Sequence, residues 1–354
     1  MKALVFHEHG DLDKLHIADV PKPEPGPGQA LLEVKASALN HLDIWVRRGW
    51  PGLKLAMPHV LGADGAGVVA ALGEGVEASL RAGGRAAEIQ VGTRCAVNPG
   101  VNRYEDEYTR RGLDSVSPGY YIIGEHAPGF HAEYSVVPAV NLLPLPEHVT
   151  FATAAAASLV YLTAWRMLIH RAGIRAGESV LILGAGGGVS SAAVQIAKFA
   201  GCHVYATTSS QAKMQKVREL GADVVLNYRD DPEWSRSIYT LTGKRGVDLV
   251  VDNVGQATWR DSLRAVARGG RIVTVGNTSG PLAETDIRFL FSKQISIVGS
   301  TMGSRQDYRD VMSLVFDGAL QPAIDRVMPL DEGVEAMSIL ERGEQCGKIV
   351  LNPW

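Results

Sequence analysis

Residues 184–190, Gly184-Ala185-Gly186-Gly187-Gly188-Val189-Ser190, follow the apolar stretch 180–183 and open a small-residue helix. Absent side chains let a backbone turn tightly and approach a pyrophosphate, while free N–H groups at the helix start face its negative charge. Glycine also serves any tight turn, so the run gains meaning only from the strand before it and the helix after it. The third glycine of a GxGxxG pattern falls on Val189, and the next position is Ser190. That serine either loosens helix–sheet packing slightly or donates its hydroxyl to phosphate. A free ribose 2′-hydroxyl is usually held by Asp or Glu about 20 residues past the first glycine. Residues 203–213 contain no acid and offer Thr208, Ser209, Ser210 and Lys213 instead. Hydroxyls with an ammonium suit a 2′-phosphate, so NADPH is expected over NADH. The alternative for Lys213 is a solvated residue in a helix's first turn, and Tyr228 either covers the adenosine end or simply packs.

Such a turn needs strands and helices in alternation. From about residue 151 the sequence supplies apolar runs at 180–183, 204–206, 224–226, 249–251, 272–275 and 295–298. Helix-like stretches at 190–199, 212–220, 233–241, 258–266 and 286–291 separate them, and Gly201 and Gly221 suit left-handed helix ends. The pattern predicts an α/β unit, a doubly wound parallel six-stranded Rossmann sheet. Before it lie short candidate strands at 3–6, 15–18, 30–38, 67–72, 94–97 and 132–137, divided by Gly/Pro turns such as Pro25-Gly26-Pro27-Gly28 and Gly83-Gly84. These predict a strand-rich barrel or sandwich, with one helix at 42–48 after Asn40. Domains are therefore expected at 1–152 and 153–301, with 302–354 returning to the first. The charged segment 100–119 lacks a period and reads as a solvated loop.

Composition narrows the class further. A chain of 354 residues exceeds one ordinary core, and 46% hydrophobic with 21% charged residues is an ordinary globular balance. Basic and acidic side chains number 35 and 38, so no basic surplus supports general nucleic-acid or anionic-membrane binding. The longest near-apolar run, 151–165, is shorter than a bilayer-spanning helix needs, and the N-terminus reaches His7 and Glu8 too soon for a signal-peptide core. Three scattered cysteines, Cys95, Cys202 and Cys346, suit a reducing compartment and cannot form a four-cysteine zinc site. A cytoplasmic enzyme acting on a small molecule is expected.

The order of these parts resembles the medium-chain dehydrogenase/reductase superfamily. The resemblance rests on Ala38-Leu39-Asn40-His41-Leu42-Asp43, on 58–69, on Leu162-Thr163-Ala164-Trp165, on 184–198, on Gly269-Gly270-Arg271-Ile272 and on Gly347-Lys348-Ile349-Val350-Leu351. Within the superfamily the chain looks most like the quinone oxidoreductase, zinc-free branch. The resemblance implies a GroES-like catalytic domain and a nicotinamide held between the domains. It also implies that Thr163, Asn253, Gly276 and Asn277 serve the cofactor, that Lys348 reaches the pyrophosphate, and that 295–298 pairs in a homodimer or homotetramer.

Zinc members of the superfamily hold the metal with Cys, His and a further Cys or acid. At the matching positions stand Asn40, Ala63 and Leu159, with Asp64 in place of the adjacent Glu. Asparagine and leucine cannot supply that set, and no zinc is expected. His41, His59 and Asp64, with His126 and His131 nearby, remain an alternative metal set. Without a metal, hydride transfer relies on proximity and hydrogen bonds to developing charge. A quinone or α,β-unsaturated carbonyl is the expected acceptor, with Asn40 donating to its oxygen. Asp43 orients Asn40 or caps a helix, and Tyr161 or water supplies the proton. Two rivals stand beside this reading: an alcohol dehydrogenase with an atypical zinc site, and a nucleotide-binding protein without turnover.

Overall fold

Alternation in the segment 29–38 sets the first sheet: Ala30, Leu32, Val34, Ala36 and Ala38 point into the core, while Glu33 and Lys35 lie half-buried on the other face. In the computed structural model, which describes residues 1–82 and 89–353, this strand is Gln29–Ala38. The Gly83-Gly84 turn lies outside the described residues. Met1–Leu159 and Gly303–Trp354 form one compact unit, and Val160–Met302 forms the second. The first crossing runs through the helix Phe151–Trp165, after Leu159.

In the first unit, Gln29–Ala38 lies between Asp64–Leu72 and the last strand, Lys348–Asn352, both antiparallel to it. Arg94–Val97 and Leu142–Pro144 extend one side of this sheet, Ile324–Pro329 the other, and Tyr134–Pro138 also pairs with Gln29–Ala38. A smaller sheet orders His16–Asp19, Lys2–Phe6 and His59–Val60. Leu4, Phe6, Leu39, Ile44 and Leu61 share a core with Met337, Leu340, Ile349 and Leu351. Residues from both ends of the chain thus complete one core.

The second unit orders its parallel strands Val224–Asn227, His203–Thr208, Ser179–Ile182, Val247–Val251, Val266–Thr274 and Ser296–Gly299. In chain order this is 3-2-1-4-5-6, the arrangement of a doubly wound dinucleotide fold. The fifth strand begins earlier than its apolar run implies. It passes through Gly269, whose φ of +70° accompanies a register shift between Val247 and Leu249 on the neighbouring strand. The helical run Phe151–Arg171 is longer than the 15-residue apolar stretch foresaw. It is long and apolar enough to cross a membrane, but 78% of its most apolar window is buried, as in a core helix.

Segment 100–119, expected as a loop, has built structure. Gly100–Asn102 pairs with Tyr120–Ile122, and the short helix Glu107–Arg110 is capped by Asp106. The Asp106 carboxylate accepts from Thr109 N, Tyr108 N and Ser117 Oγ, and the Thr109 N–H foremost holds it below the ordinary carboxylate range. Asp114 Oδ2 accepts from Arg305 N at 3.0 Å, tying this lobe to the chain just after it re-enters the first unit. These polar contacts, with Val101 as a lone buried anchor in the core, hold the lobe, and no apolar period announced it.

Residues 124–131 lie directly on the turn 61–65. A Cβ at Gly129 would overlap the carbonyls of Leu61 and Gly62, and one at Gly65 would overlap the Phe130 ring. Gly65→Ala is therefore expected to destabilise by about 1–3 kcal/mol through overpacking, read as a lowered denaturation midpoint. An unchanged midpoint would mean the 124–131 segment shifts freely. Burial also pushes the Glu125 carboxyl up to about 7, with His126 Nδ1 3.6 Å away. A raised acid favours the folded state only while protonated. Stability from this group is thus lost as pH climbs from about 4.5 to about 7. Glu125→Gln should match wild type near pH 4 and exceed it near pH 8 in urea denaturation; equal midpoints at both would contradict the shift.

Candidate functional site

Three strands of the first unit begin or end beside one another, and each delivers a polar side chain to the same place. Asn40 follows the end of Gln29–Ala38, Asp64 opens the strand paired with it, and Lys348 opens the last strand. Asp64 is fully buried, and Asn40 and Lys348 are nearly so. Lys348 Nζ donates to Asp64 Oδ2 at 2.8 Å and to Asn40 Oδ1 at 2.5 Å. Asn40 Nδ2 donates to Asp64 Oδ2 at 2.9 Å and to Ala38 O at 3.3 Å. Asp64 Oδ1 accepts from the Leu159 backbone N–H at 2.6 Å. The amide of Asn40 thus turns its oxygen to the ammonium and its nitrogen to the carboxylate.

This geometry bears on two sequence expectations. Both amide protons of Asn40 already have acceptors, so Asn40 has none left for a substrate oxygen. Lys348, which the resemblance sends to a pyrophosphate, is held inside the first unit by Asp64 and Asn40. Two of its three ammonium protons have acceptors in this cluster.

Asp43 sits one layer behind. Its Oδ2 accepts from Asn40 N at 2.7 Å and its Oδ1 from Gly62 N at 3.1 Å. It therefore holds both the start of the helix His41–Arg48 and the turn that leads to Asp64, the orienting and capping roles expected of it. His131, fully buried, places Nε2 3.7 Å from Asp43 Oδ2 and Nδ1 2.9 Å from Ser37 Oγ. The pairing of Ser37 with His131 escaped the sequence reading, which weighed His131 only as a metal ligand, because nothing local links residues 94 positions apart. Burial pushes the His41 imidazole below its ordinary range, and does the same to His59, whose Nε2 contacts Gly124 O at 3.0 Å.

The alternative metal set does not assemble. His59 faces Gly124 O, His131 faces Ser37 and Asp43, and Asp64 has three donors of its own. Among the described residues no three His, Cys, Asp or Glu side chains are grouped to hold a metal ion.

In the second unit the glycine turn leads from Ser179–Ile182 into the helix Gly188–Phe199. Gly184 takes φ +60°, and no side chain caps the helix start at Gly187. Its N–H groups are left for an anion. Ser190 donates to Leu183 O at 2.8 Å and accepts from Asn253 Nδ2 at 3.3 Å, so its proton serves the turn and not a phosphate. Val189 is half-buried beside it. Asn253 Oδ1 is buried without a partner, and Gly276 passes so close to Asn253 O that a Cβ would stand 3.0 Å away. Gly184, Gly186, Gly187, Gly188, Ser190, Asn253 and Gly276 therefore lie together at the carboxyl ends of the strands, with Asn277 exposed beyond. An uncapped helix start and an orphaned amide oxygen fit a dinucleotide.

At the sheet's other side Tyr228 N donates to Thr208 O at 3.0 Å, which sets Tyr228 beside Ser209 and Ser210. Ser210 caps the helix Gln211–Glu219 by accepting from Lys213 N. Arg229, exposed and adjacent to Tyr228, is the second residue past the strand Val224–Asn227. Thr163 donates to Met302 Sδ at 3.6 Å within this unit. Tyr161 is buried, accepts from Gln195 Nε2 at 2.8 Å, and has its phenol pushed well above the ordinary range by burial. Such a phenol stays protonated at neutral pH, with its oxygen turned to Gln195.

Residues 26–147 match the family described as Alcohol dehydrogenase GroES-like domain, and residues 188–317 match Zinc-binding dehydrogenase. A solved NAD-dependent alcohol dehydrogenase is 41% identical, with a TM-score of 0.93 and full coverage of both chains. A solved 2-octenoyl-CoA carboxylase reductase, in complex with NADP and 2-octenoyl-CoA, is 30% identical with a TM-score of 0.87, over 99% of this chain and 87% of that one. The quinone oxidoreductase of Rattus norvegicus is 30% identical over 99% of this chain and 97% of its own. From the GroES-like match, the doubly wound sheet with its glycine turn, and these relatives, the chain belongs to the medium-chain dehydrogenase/reductase superfamily and is an oxidoreductase of that family.

Proposed function

We propose that this chain is an NADPH-dependent reductase of quinones or α,β-unsaturated carbonyls that works without a metal. The observation that carries the reading is the buried ammonium of Lys348 beside Asn40 and Asp64. Asn40, Ala63 and Leu159 offer no thiolate or imidazole at the positions where the resemblance puts metal ligands, and a fixed monocation stands among them. When bound, NADPH supplies the hydride. Lys348 then replaces Asn40 as the group with a proton left for the acceptor oxygen. Asn40 steers that proton by accepting one of the other two. Asp43 keeps Asn40 at the helix start, and the delocalised charge of a conjugated acceptor needs less stabilisation than a localised alkoxide.

Thr208, Ser209, Ser210, Lys213 and Tyr228, joined by Arg229, support a 2′-phosphate over a bare hydroxyl. Gly184, Gly186, Gly187, Gly188, Val189 and Ser190 shape the pyrophosphate turn, and Thr163, Asn253, Gly276 and Asn277 complete the cofactor set. Exposed Ile297 on the edge strand, with Ile287 and Phe291 at 69% exposure nearby, supports pairing with a second copy. The similarity to a solved NAD-dependent alcohol dehydrogenase favours a second reading, alcohol oxidation with NAD.

NADPH oxidation in excess chelator separates the two. Turnover of a quinone or 2-alkenal with the saturated aldehyde inert is expected. Activity confined to the saturated aldehyde, and restored only by zinc, would favour the alcohol dehydrogenase. For the cofactor, Lys213→Ala and Arg229→Ala should each raise the KM for NADPH by about tenfold, the loss of one charge-assisted hydrogen bond, and leave NADH unchanged. Equal losses with both cofactors would count against 2′-phosphate recognition.

A further inference from the structure

We propose that Asp64 is the positioning residue of this site, acting through Lys348 and Asn40 without touching substrate. The inference rests on the metal-free reading above. Asp64 is wholly buried, and its two oxygens divide their work. Oδ2 takes the Lys348 ammonium, which keeps a proton for an acceptor, and the Asn40 amide that steers it. Oδ1 takes the Leu159 N–H, inserting a side chain into the backbone ladder of the helix Phe151–Trp165. Leu159 is also the last residue of the first unit before the chain passes into the second. One carboxylate therefore fixes a cation, an amide and the backbone at the crossing.

The negative charge is essential to this arrangement, because three donors converge on it. A neutral amide of the same shape fails in either orientation. With its oxygen toward Leu159 N, its NH2 meets an ammonium and another NH2; reversed, its NH2 meets the Leu159 N–H. Lys348 then loses its fixed direction while remaining present. Glutamate keeps the charge at a changed reach.

The test compares wild type, Asp64→Asn and Asp64→Glu as full-length protein, with urea midpoints confirming that each folds. Expected for Asp64→Asn is a fall in kcat of about 10²-fold, with the Kd for NADPH by fluorescence titration held within about threefold. Asp64→Glu should recover part of the lost kcat. Wild-type kcat in folded Asp64→Asn, or parallel losses in kcat and NADPH affinity with no recovery in Asp64→Glu, would overturn the proposal. A readout independent of any acceptor is the ¹⁵N NMR signal of the Lys348 ammonium, assigned by its loss in Lys348→Met. Slow proton exchange at that ammonium is expected in wild type and Asp64→Glu, and fast exchange in Asp64→Asn. Should wild type reduce no conjugated acceptor, the proposed function falls and the ammonium signal still decides the role of Asp64: slow exchange persisting in Asp64→Asn would overturn it.

Discussion

A carboxylate with no exposure to water must find its compensation inside the protein, and Asp64 finds it in residues drawn from the whole length of the chain. Its cationic partner, Lys348, lies 284 positions away, on the strand that closes the first unit after the second has been built. Removing one partner of such a buried pair typically costs about 3–5 kcal/mol, more than most single apolar contacts, because the other charge is stranded. The pair is accordingly a condition on the fold as well as a feature of the site. The last strand must dock on Gln29–Ala38 in one register to put Lys348 beside Asn40. The same docking brings Ile349 and Leu351 into the core with Leu4 and Phe6.

Close backbone approach is the second constraint, and it serves the first. The turn 61–65 is pressed beneath residues 124–131, where glycines leave room that any side chain would fill. Gly62 N in that turn is held by Asp43, which also holds Asn40 N. Asn40 and Asp64 are therefore fixed from behind by one carboxylate and in front by one ammonium. Neither has much freedom to move alone. The lobe 100–124 does comparable work at the return crossing, where Asp114 holds Arg305 N.

The parts of this design differ in how far the sequence displays them. The six parallel strands and the glycine turn were legible because each is a local pattern: an apolar run, a glycine cluster, a helical period. Asp43 was legible as a helix cap for the same reason, three residues from Asn40. The partners of Asn40 were not. Besides Ala38 O nearby, the fold brings Asp64 from 24 positions away and Lys348 from 308. The burial of Tyr161 and its contact with Gln195 are likewise tertiary facts, invisible in the local sequence. The lobe 100–124 failed to show a period because hydrogen bonds to Asp106 and Asp114 join a few scattered apolar anchors, Val101, Tyr121 and Ile123, in holding it.

The charge at the site bears on the kind of acceptor it suits. A dication in an open coordination position can hold a localised alkoxide, whereas an ammonium shared with a carboxylate and an amide oxygen presents a much weaker field. Such a field is adequate where the acceptor itself spreads the incoming charge, over a quinone ring or from the β-carbon to a carbonyl oxygen. Overall similarity does not weigh against this, because a fold hosts different chemistries through a few side chains at one place. The solved alcohol dehydrogenase and the solved 2-octenoyl-CoA carboxylase reductase match this chain with TM-scores of 0.93 and 0.87, although their names denote different reactions. The proposed function places the distinction at positions 40, 63, 64, 159 and 348. In this chain those five are an amide, a methyl, a carboxylate, an isobutyl group and an ammonium. That set can orient a proton and hold one positive charge in place, which is what the proposed reduction of a conjugated acceptor requires.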